Sequence, residues 1–368
     1  MTTEVAAALN PNVSTSRQES ELCQQEWEIL DPLSDRRWDQ LATSHPDCDI
    51  FHSSAWARVL CKTYRHKPFY HHLSQGSKTI ALVPIMEVAS PITGRRGICL
   101  PFSDFSSPLL FDGSALSLVV NKLTDIARTQ KWNYFELRGG NKPLPAAVPA
   151  ETFYGHRLAL RPDTDQLFAG FASSVRRAVR KAEKSNLTVE VTRTREALNA
   201  FYGLHVKTRK RHGLPPQPQS FFLNVYEEIL KQNSGFVVLA RRESLPVAAA
   251  VFFHAGESAI YKYGASDDKF QEFRGNDLVM WEAIKFLTKG GATTLHFGRT
   301  SPCGEGLRRF KLAWGTVEEA INYFKFDPRA NSWLSGDGLP GTLHRKVFRR
   351  LPLKLNQLAG SMIYPHLD

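Results

Sequence analysis

The stretch Thr294-Leu-His-Phe-Gly-Arg-Thr-Ser-Pro-Cys-Gly-Glu-Gly-Leu-Arg-Arg-Phe-Lys-Leu-Ala-Trp-Gly315 brings the cations Arg308, Arg309 and Lys311 close together. Its first part reads as a short buried strand, with Leu295 and Phe297 inward, that breaks at Gly298. A loop of small residues carrying Arg299 follows, then a short helix. Cations on a loop-to-helix element beyond a strand end are where α/β enzymes place groups that stabilise developing negative charge. Phe310 and Trp314 share that helix, and their packing would aim Lys311 inward.

Three further groups carry chemical potential. Gln271-Glu-Phe-Arg-Gly-Asn-Asp277 is a turn opening onto an amphipathic helix, so the amides around Arg274, Gly275 and Asn276 form either an anion site or an ordinary Asn/Asp cap. In Ala259-Ile-Tyr-Lys-Tyr-Gly-Ala-Ser266, strand alternation puts Tyr261 and Tyr263 on one face and Lys262 on the other. A Tyr263 placed there is either a reactive hydroxyl or core. In Ser174-Val-Arg-Arg-Ala-Val-Arg-Lys-Ala-Glu-Lys184, helical spacing lines up Arg176 and Arg180 beside Arg177 and Lys181, a basic face that suits phosphates or plain solvation. A second basic cluster runs from Lys207 to His212. In the N-terminal half, Ser103 and Asp104 are candidates for a cleft between domains, where ligand sites gather, or for a turn.

The elements that must position these residues come in one order, twice. In the C-terminal half a strand at 187–191 is followed by helices at 196–211 and 220–232. Strands at 236–241, 247–254 and 259–264, a helix at 277–289, a strand at 294–297, a helix near 307–313 and a last strand at 320–326 complete it. The N-terminal half repeats most of this order between Trp27 and Leu137. The Pro/Ala-rich stretch 143–150 breaks the pattern, which sets a boundary near Leu160. The expected organisation is a disordered lead-in (1–25), two α/β domains (26–160 and 161–330) and a basic amphipathic tail (331–368).

The Phe310-Lys311 pair followed by Trp314 and Gly315 resembles the FemAB-like branch of the GNAT superfamily. So do Phe51-His-Ser-Ser-Ala-Trp56, Leu100-Pro-Phe-Ser-Asp104 and Tyr263-Gly-Ala-Ser266. The resemblance implies two GNAT-like domains (the acyl-CoA N-acyltransferase fold) side by side, and acyl transfer as the chemistry. It places Lys311 beside the activated ester as an oxyanion donor, and Tyr263 at the strand that splays to admit the donor. Arg299, Arg308 and Phe310 would line the substrate site. The implied function is transfer of an acyl or aminoacyl group to an amine of a cell-envelope or polysaccharide precursor. The co-substrate would be acyl-CoA or aminoacyl-tRNA, with no tightly bound cofactor and no metal. Acyl-CoA GNAT enzymes carry Gln/Arg-x-x-Gly-x-Gly/Ala at the pyrophosphate loop; here Arg274 replaces the first Gly and Asn276-Asp277 follows Gly275. The alternatives are an acyl-CoA N-acyltransferase acting on a small soluble amine, and a non-catalytic envelope-assembly or RNA-binding protein on the same fold.

Composition fits this frame. A net charge of +11 over 368 residues calls for an anionic partner, either a phosphate-bearing acceptor or a tRNA donor. No zinc-finger or RNP-like motif is present, which argues against sequence-specific DNA binding. Five scattered cysteines, without metal-ligand spacing, suit a reducing cytoplasm. The N-terminal residues lack the basic and apolar regions of a secretory signal. The tail interleaves Val347, Phe348, Leu351, Leu355 and Leu358 with Arg349, Arg350 and Lys354, a pattern for peripheral association with the inner face of the cytoplasmic membrane or for packing on its own domain. Pro352 would interrupt its helix.

Overall fold

Continuous apolar runs such as Ile80-Ala-Leu-Val-Pro-Ile-Met86 and Val247-Ala-Ala-Ala-Val-Phe-Phe253 can be satisfied only where both faces of a strand are covered, and both are central strands here. The computed structural model describes residues 25–139, 147–336 and 343–368. The expected lead-in, apart from Gln25, lies outside these residues, as does the first half of the Pro/Ala-rich stretch, 143–146. The strands are β1 (Gln25–Ile29), β2 (Lys67–Gln75), β3 (Lys78–Ser90), β4 (Gly94–Ile98), β5 (Leu109–Leu110), β6 (Phe135–Gly139), β7 (Glu151–Ala159), β8 (Leu187–Thr192), β9 (Gly235–Arg242), β10 (Leu245–Ala255), β11 (Ser258–Ser266), β12 (Thr294–His296), β13 (Val317–Asp327) and β14 (Ser332–Leu334). The helices are α1 (Arg37–Thr43), α2 (Ser54–Tyr64), α3 (Leu116–Thr129), α4 (Thr164–Gly170), α5 (Ser173–Glu183), α6 (Arg195–Arg211), α7 (Gln219–Val225), α8 (Gly275–Lys289), α9 (Glu305–Ala313), α10 (Leu343–Arg350) and α11 (Leu353–Ile363).

All strands form one sheet, in the order β1-β2-β3-β4-β6-β13-β7-β12-β11-β10-β9-β8, with β5 on β3 and β14 on β13. Each half contains one short parallel pair, β4 with β6 and β11 with β12, at equivalent points of the repeated order. The expected two GNAT-like halves are therefore present, fused into a single sheet.

Their junction differs from a simple cut near Leu160. β7 lies before that point in sequence yet pairs with β12, and β13, from the C-terminal half, pairs with β6; the two then pair with each other. The alternation rules give no strand at Glu151–Ala159, because Gly155 and mixed polar residues interrupt its pattern. Packing explains the glycine. A Cβ at 155 would lie 2.8 Å from Ile321 Cδ1 and 3.0 Å from His296 Nε2.

The halves also share a core. Trp56 at the start of α2, whose cap Ser53 accepts from the Trp56 amide, packs edge-on against Phe221 of α7 and tilted against Phe253 of β10. One face of the sheet is covered by α1, α2, α6 and α7. In the C-terminal half the other face carries α4, α5, α8 and α9. α7 continues as a π-helical turn, Tyr226–Leu230, within the span expected to be one helix.

Candidate active site

β11 and β12 pair only over Ser258–Ile260 and Thr294–His296. Beyond that point the chain at Gly298 turns with φ of +71° and the ladder stops, leaving a gap in the pairing between the strand ends. Residues 261–264 of β11 are half-buried there, although the strand is buried on both sides of them.

Lys311 reaches this gap from α9. It is 2% exposed, and its ammonium donates to the carbonyls of Gly298 at 2.8 Å and Arg299 at 3.1 Å. An ammonium has three donors, so one N–H is left without a partner among the described residues. Burial pulls its pKa down to about 8, opposed by the Asp104 carboxylate and assisted by Lys262. Trp314, fully buried, packs between Phe171 and Phe310 and fixes the helix.

Across the gap stands an ion pair that strand alternation hides. Phe252 pairs with Tyr261 but Val251 pairs with Tyr263, so a β-bulge leaves Lys262 without a partner residue on β10. The expected shared face for the two tyrosines is therefore not formed. Tyr261 packs with the α8 side of the sheet, whereas Tyr263 packs with Phe201, Phe221 and Phe222 on the other. Lys262, its side chain 7% exposed, donates to Asp104 Oδ2 at 2.5 Å and to the Phe102 carbonyl at 2.7 Å. Burial would raise the Asp104 pKa, but Lys262 and Arg299 outweigh it and hold the carboxyl at about 2. Burial lowers the Lys262 pKa against the pull of Asp104.

The turn that presents Asp104 is strained. Leu100 and Phe102 both occupy left-handed conformations, with φ of 57° and 59°, which cost on the order of 1–3 kcal/mol each in non-glycine residues. Ser103 serves this turn, its hydroxyl donating to the Leu100 carbonyl at 2.6 Å. The buried Arg138, paired with Glu136 at 2.7 Å, donates to the carbonyls of Leu100 and Ser103. Asp104 Oδ1 accepts the Arg299 amide at 3.1 Å, and the Tyr323 hydroxyl donates to the Asp104 carbonyl at 2.8 Å. The Arg299 guanidinium donates to the same hydroxyl at 2.6 Å and lies over the Phe153 ring.

The remaining candidates separate. Arg308 is committed to Glu318 by two hydrogen bonds of 2.6 and 2.7 Å and stacks on Tyr154. Arg274, itself left-handed, precedes α8, and the missing side chain of Gly275 lets that helix approach Ala248. Asn276 donates to the Ser266 hydroxyl at 3.2 Å. Together with Phe310 these residues line a hollow of about 190 Å³ that also contains Asp267 and Asp277. Burial lifts the Asp277 pKa to about 6.

On α5, Arg177, Arg180 and Lys181 face solvent, while Arg176 is half-buried. The helix abuts α9, with the Ala172 amide donating to the Ala313 carbonyl, so its basic face lies on the Lys311 side of the sheet. The cluster at 207–212 is largely engaged: Lys207 pairs with Asp267 and Arg211 bonds the Ser266 carbonyl. His296 accepts the Gly298 amide through Nδ1 at 2.9 Å and faces Glu319 through Nε2, a structural arrangement. It borders a cavity of about 820 Å³ between the halves, with Asp49, His52, Phe105, Arg157 and Glu319 also on its wall. Among the described residues no cluster has the composition of a metal site.

Residues 169–312 match the family model of the acetyltransferase (GNAT) domain, and the fold as a whole is like that of paired GNAT domains. A tandem GNAT protein from the clavulanic acid biosynthesis pathway superposes with a TM-score of 0.55 at 8% identity, covering 83% of this chain and 99% of that one. The likeness narrows to FemX, whose crystal structure gives a TM-score of 0.66 at 17% identity over 82% of this chain and 96% of FemX. In sequence the chain is 31% identical over 106 residues to the Lipid II:glycine glycyltransferase of Staphylococcus aureus, 27% of this chain and 25% of that protein. The chain thus spans about a quarter of the length of the curated relatives it matches. The GNAT part of the motif resemblance is found again in the family model over residues 169–312, and its FemAB-like part is matched by the glycyltransferase over 106 residues and by the fold of FemX.

Proposed function

We propose that this protein transfers an aminoacyl group from aminoacyl-tRNA to an amine of a cell-envelope precursor, in the gap between β11 and β12. The observation that carries this reading is Lys311: a buried ammonium at the gap with a donor to spare, the arrangement that stabilises the oxyanion of acyl transfer. In the reaction the acceptor nitrogen attacks the ester carbonyl carbon, a C–N bond forms and the ester C–O bond breaks. The proton lost from nitrogen ends on the departing ribose oxygen. Lys311 holds the carbonyl oxygen while it carries negative charge. Asp104, ionised at any physiological pH, is a poor proton acceptor and instead orients the incoming amine, with Lys262 fixing its position.

The tRNA donor is favoured over coenzyme A by the hollow at the start of α8. Asp277, and Asp267 in its pair with Lys207, line beside Arg274 the place where a GNAT enzyme would cradle a pyrophosphate. The basic face of α5 lies on the Lys311 side, as a polyanionic donor requires. The glycyltransferase relative suggests lipid II as the acceptor class. Purified protein mixed with radiolabelled glycyl-, alanyl- or seryl-tRNA and lipid II should form a labelled lipid product. Label transfer from acetyl-CoA, with micromolar binding by calorimetry, would replace this reading with that of an acyl-CoA enzyme.

A further inference from the structure

Residues 364–368 lie in a groove between the two halves, and cations hold them there. Arg96 of β4, its side chain 4% exposed, donates from Nε to Asp368 Oδ2 at 2.8 Å and from Nη2 to the His366 carbonyl at 2.9 Å. Arg209 of α6 donates to the Tyr364 hydroxyl at 2.8 Å. The buried Tyr364 ring packs against Phe102, which stacks in turn on His66.

Beneath this segment the groove is only partly satisfied. The hydroxyl of Tyr64 and Nε2 of His66 are buried without hydrogen-bond partners among the described residues. The groove also leads to the reaction gap, since the Phe102 carbonyl accepts from Lys262, the partner of Asp104. A buried guanidinium already holding a carboxylate, a second cation on the phenol of the same segment, two unsatisfied polar atoms and aromatic walls make a site for a molecule bearing an oxyanion.

We propose that this groove binds a ligand through a phosphate or carboxylate gripped by Arg96, with Arg209 holding a polar group of the ligand as it now holds the Tyr364 hydroxyl, and that residues 364–368 occupy it as an internal stand-in, Asp368 taking the place of the ligand's anion. Binding requires the segment to leave. The identification of that ligand with the acceptor rests on the reading of the gap as the reaction centre; the anion site itself does not.

Hydrogen exchange of residues 353–368 in the full chain, with and without inorganic pyrophosphate or N-acetylaspartate, tests the displacement. One of the two anions should accelerate exchange there, and which one does so distinguishes a phosphate ligand from a carboxylate. Asp368→Asn, which weakens the stand-in without touching the grips, should tighten binding of that anion at least about tenfold, and Arg96→Met should abolish it. Unchanged exchange with both anions, together with equal or absent binding by wild type and Asp368→Asn, would make the segment a fixed part of the fold. Anion binding without any aminoacyl transfer would remove the proposed reaction and leave the groove standing.

Discussion

In the proposed reaction the chemistry turns on Lys311, and its burial makes that role testable. Lys311→Ala should lower kcat by about 10²–10³, the usual consequence of losing one oxyanion donor, and a melting curve should show that the fold persists, since Trp314 and not Lys311 packs the helix into the core. Full activity in that variant would exclude the residue from the mechanism. The pH dependence follows from the same burial. An ammonium whose pKa is pulled down to about 8 is mostly charged at neutrality and discharges as pH rises through that value, so the rate should fall about tenfold per pH unit on the alkaline side. Stability moves the opposite way. The buried charge disfavours the fold at pH below about 8, and this contribution is relieved as pH climbs toward the ordinary lysine range. Asp104, held at about 2, adds no second limb near neutrality. A rate that stays level up to pH 10 would show that the protonated amine is not needed.

At the scale of elements, the gap depends on the bulge at Lys262 and on glycines. A Cβ at Gly264 would collide with the Tyr261 hydroxyl, which covers that glycine at the mouth of the gap. Gly264→Ala should therefore displace Tyr261 and reduce kcat more than it reduces thermal stability, as read by a transfer assay beside a melting curve. The helix α5 makes a separate prediction. If Arg177, Arg180 and Lys181 meet tRNA phosphates, replacing all three by Glu should flatten the log-log salt dependence of tRNA binding by roughly 2–3, at 0.7–0.9 per phosphate. Identical weak binding by both proteins would leave the helix a solvated face. Sequence reading reached these elements unevenly. The helices α2, α6 and α8 and the strands β8 to β11 follow from apolar periodicity and caps, because their partners are local or their burial is continuous. The Lys262–Asp104 pair was not legible, since a bulge inverts the alternation on which the facing of Tyr261, Lys262 and Tyr263 was reasoned. A lysine between two strand tyrosines was the available signal. Arg308 was legible as a cation but not as the partner of Glu318, which lies across a turn on β13.

At the scale of the molecule, the duplicated order of elements was visible in sequence, whereas the exchange of β7 and β13 was not: both strands find partners more than a hundred residues away. The tail shows how these levels combine. Pro352 ends one helix and caps the next, as its missing N–H requires, and α11 then turns Asn356 and Gly360 toward α6 and the loop after it, in line with the docked Tyr364. On the opposite face of the helix Leu355, Leu358 and Met362 are exposed, with Val347, Arg349, Arg350 and Lys354 nearby on the chain. No helix among the described residues is long and apolar enough to cross a bilayer; for the lipid-linked acceptor of the proposed reaction, an exposed apolar face ringed by cations is a surface suited to membrane contact. Vesicles containing anionic lipid should therefore bind the protein, with affinity falling as salt screens the cations. Changing Leu355, Leu358 and Met362 together to Ser should weaken binding at least about tenfold, since each buried apolar side chain contributes on the order of 1.5–3 kcal/mol. Neutral vesicles should bind far less in either case. Sedimentation with the two vesicle types decides it: equal binding by wild type and the triple variant would assign the outer face of α11 to solvent, and membrane contact would have to be sought on another surface.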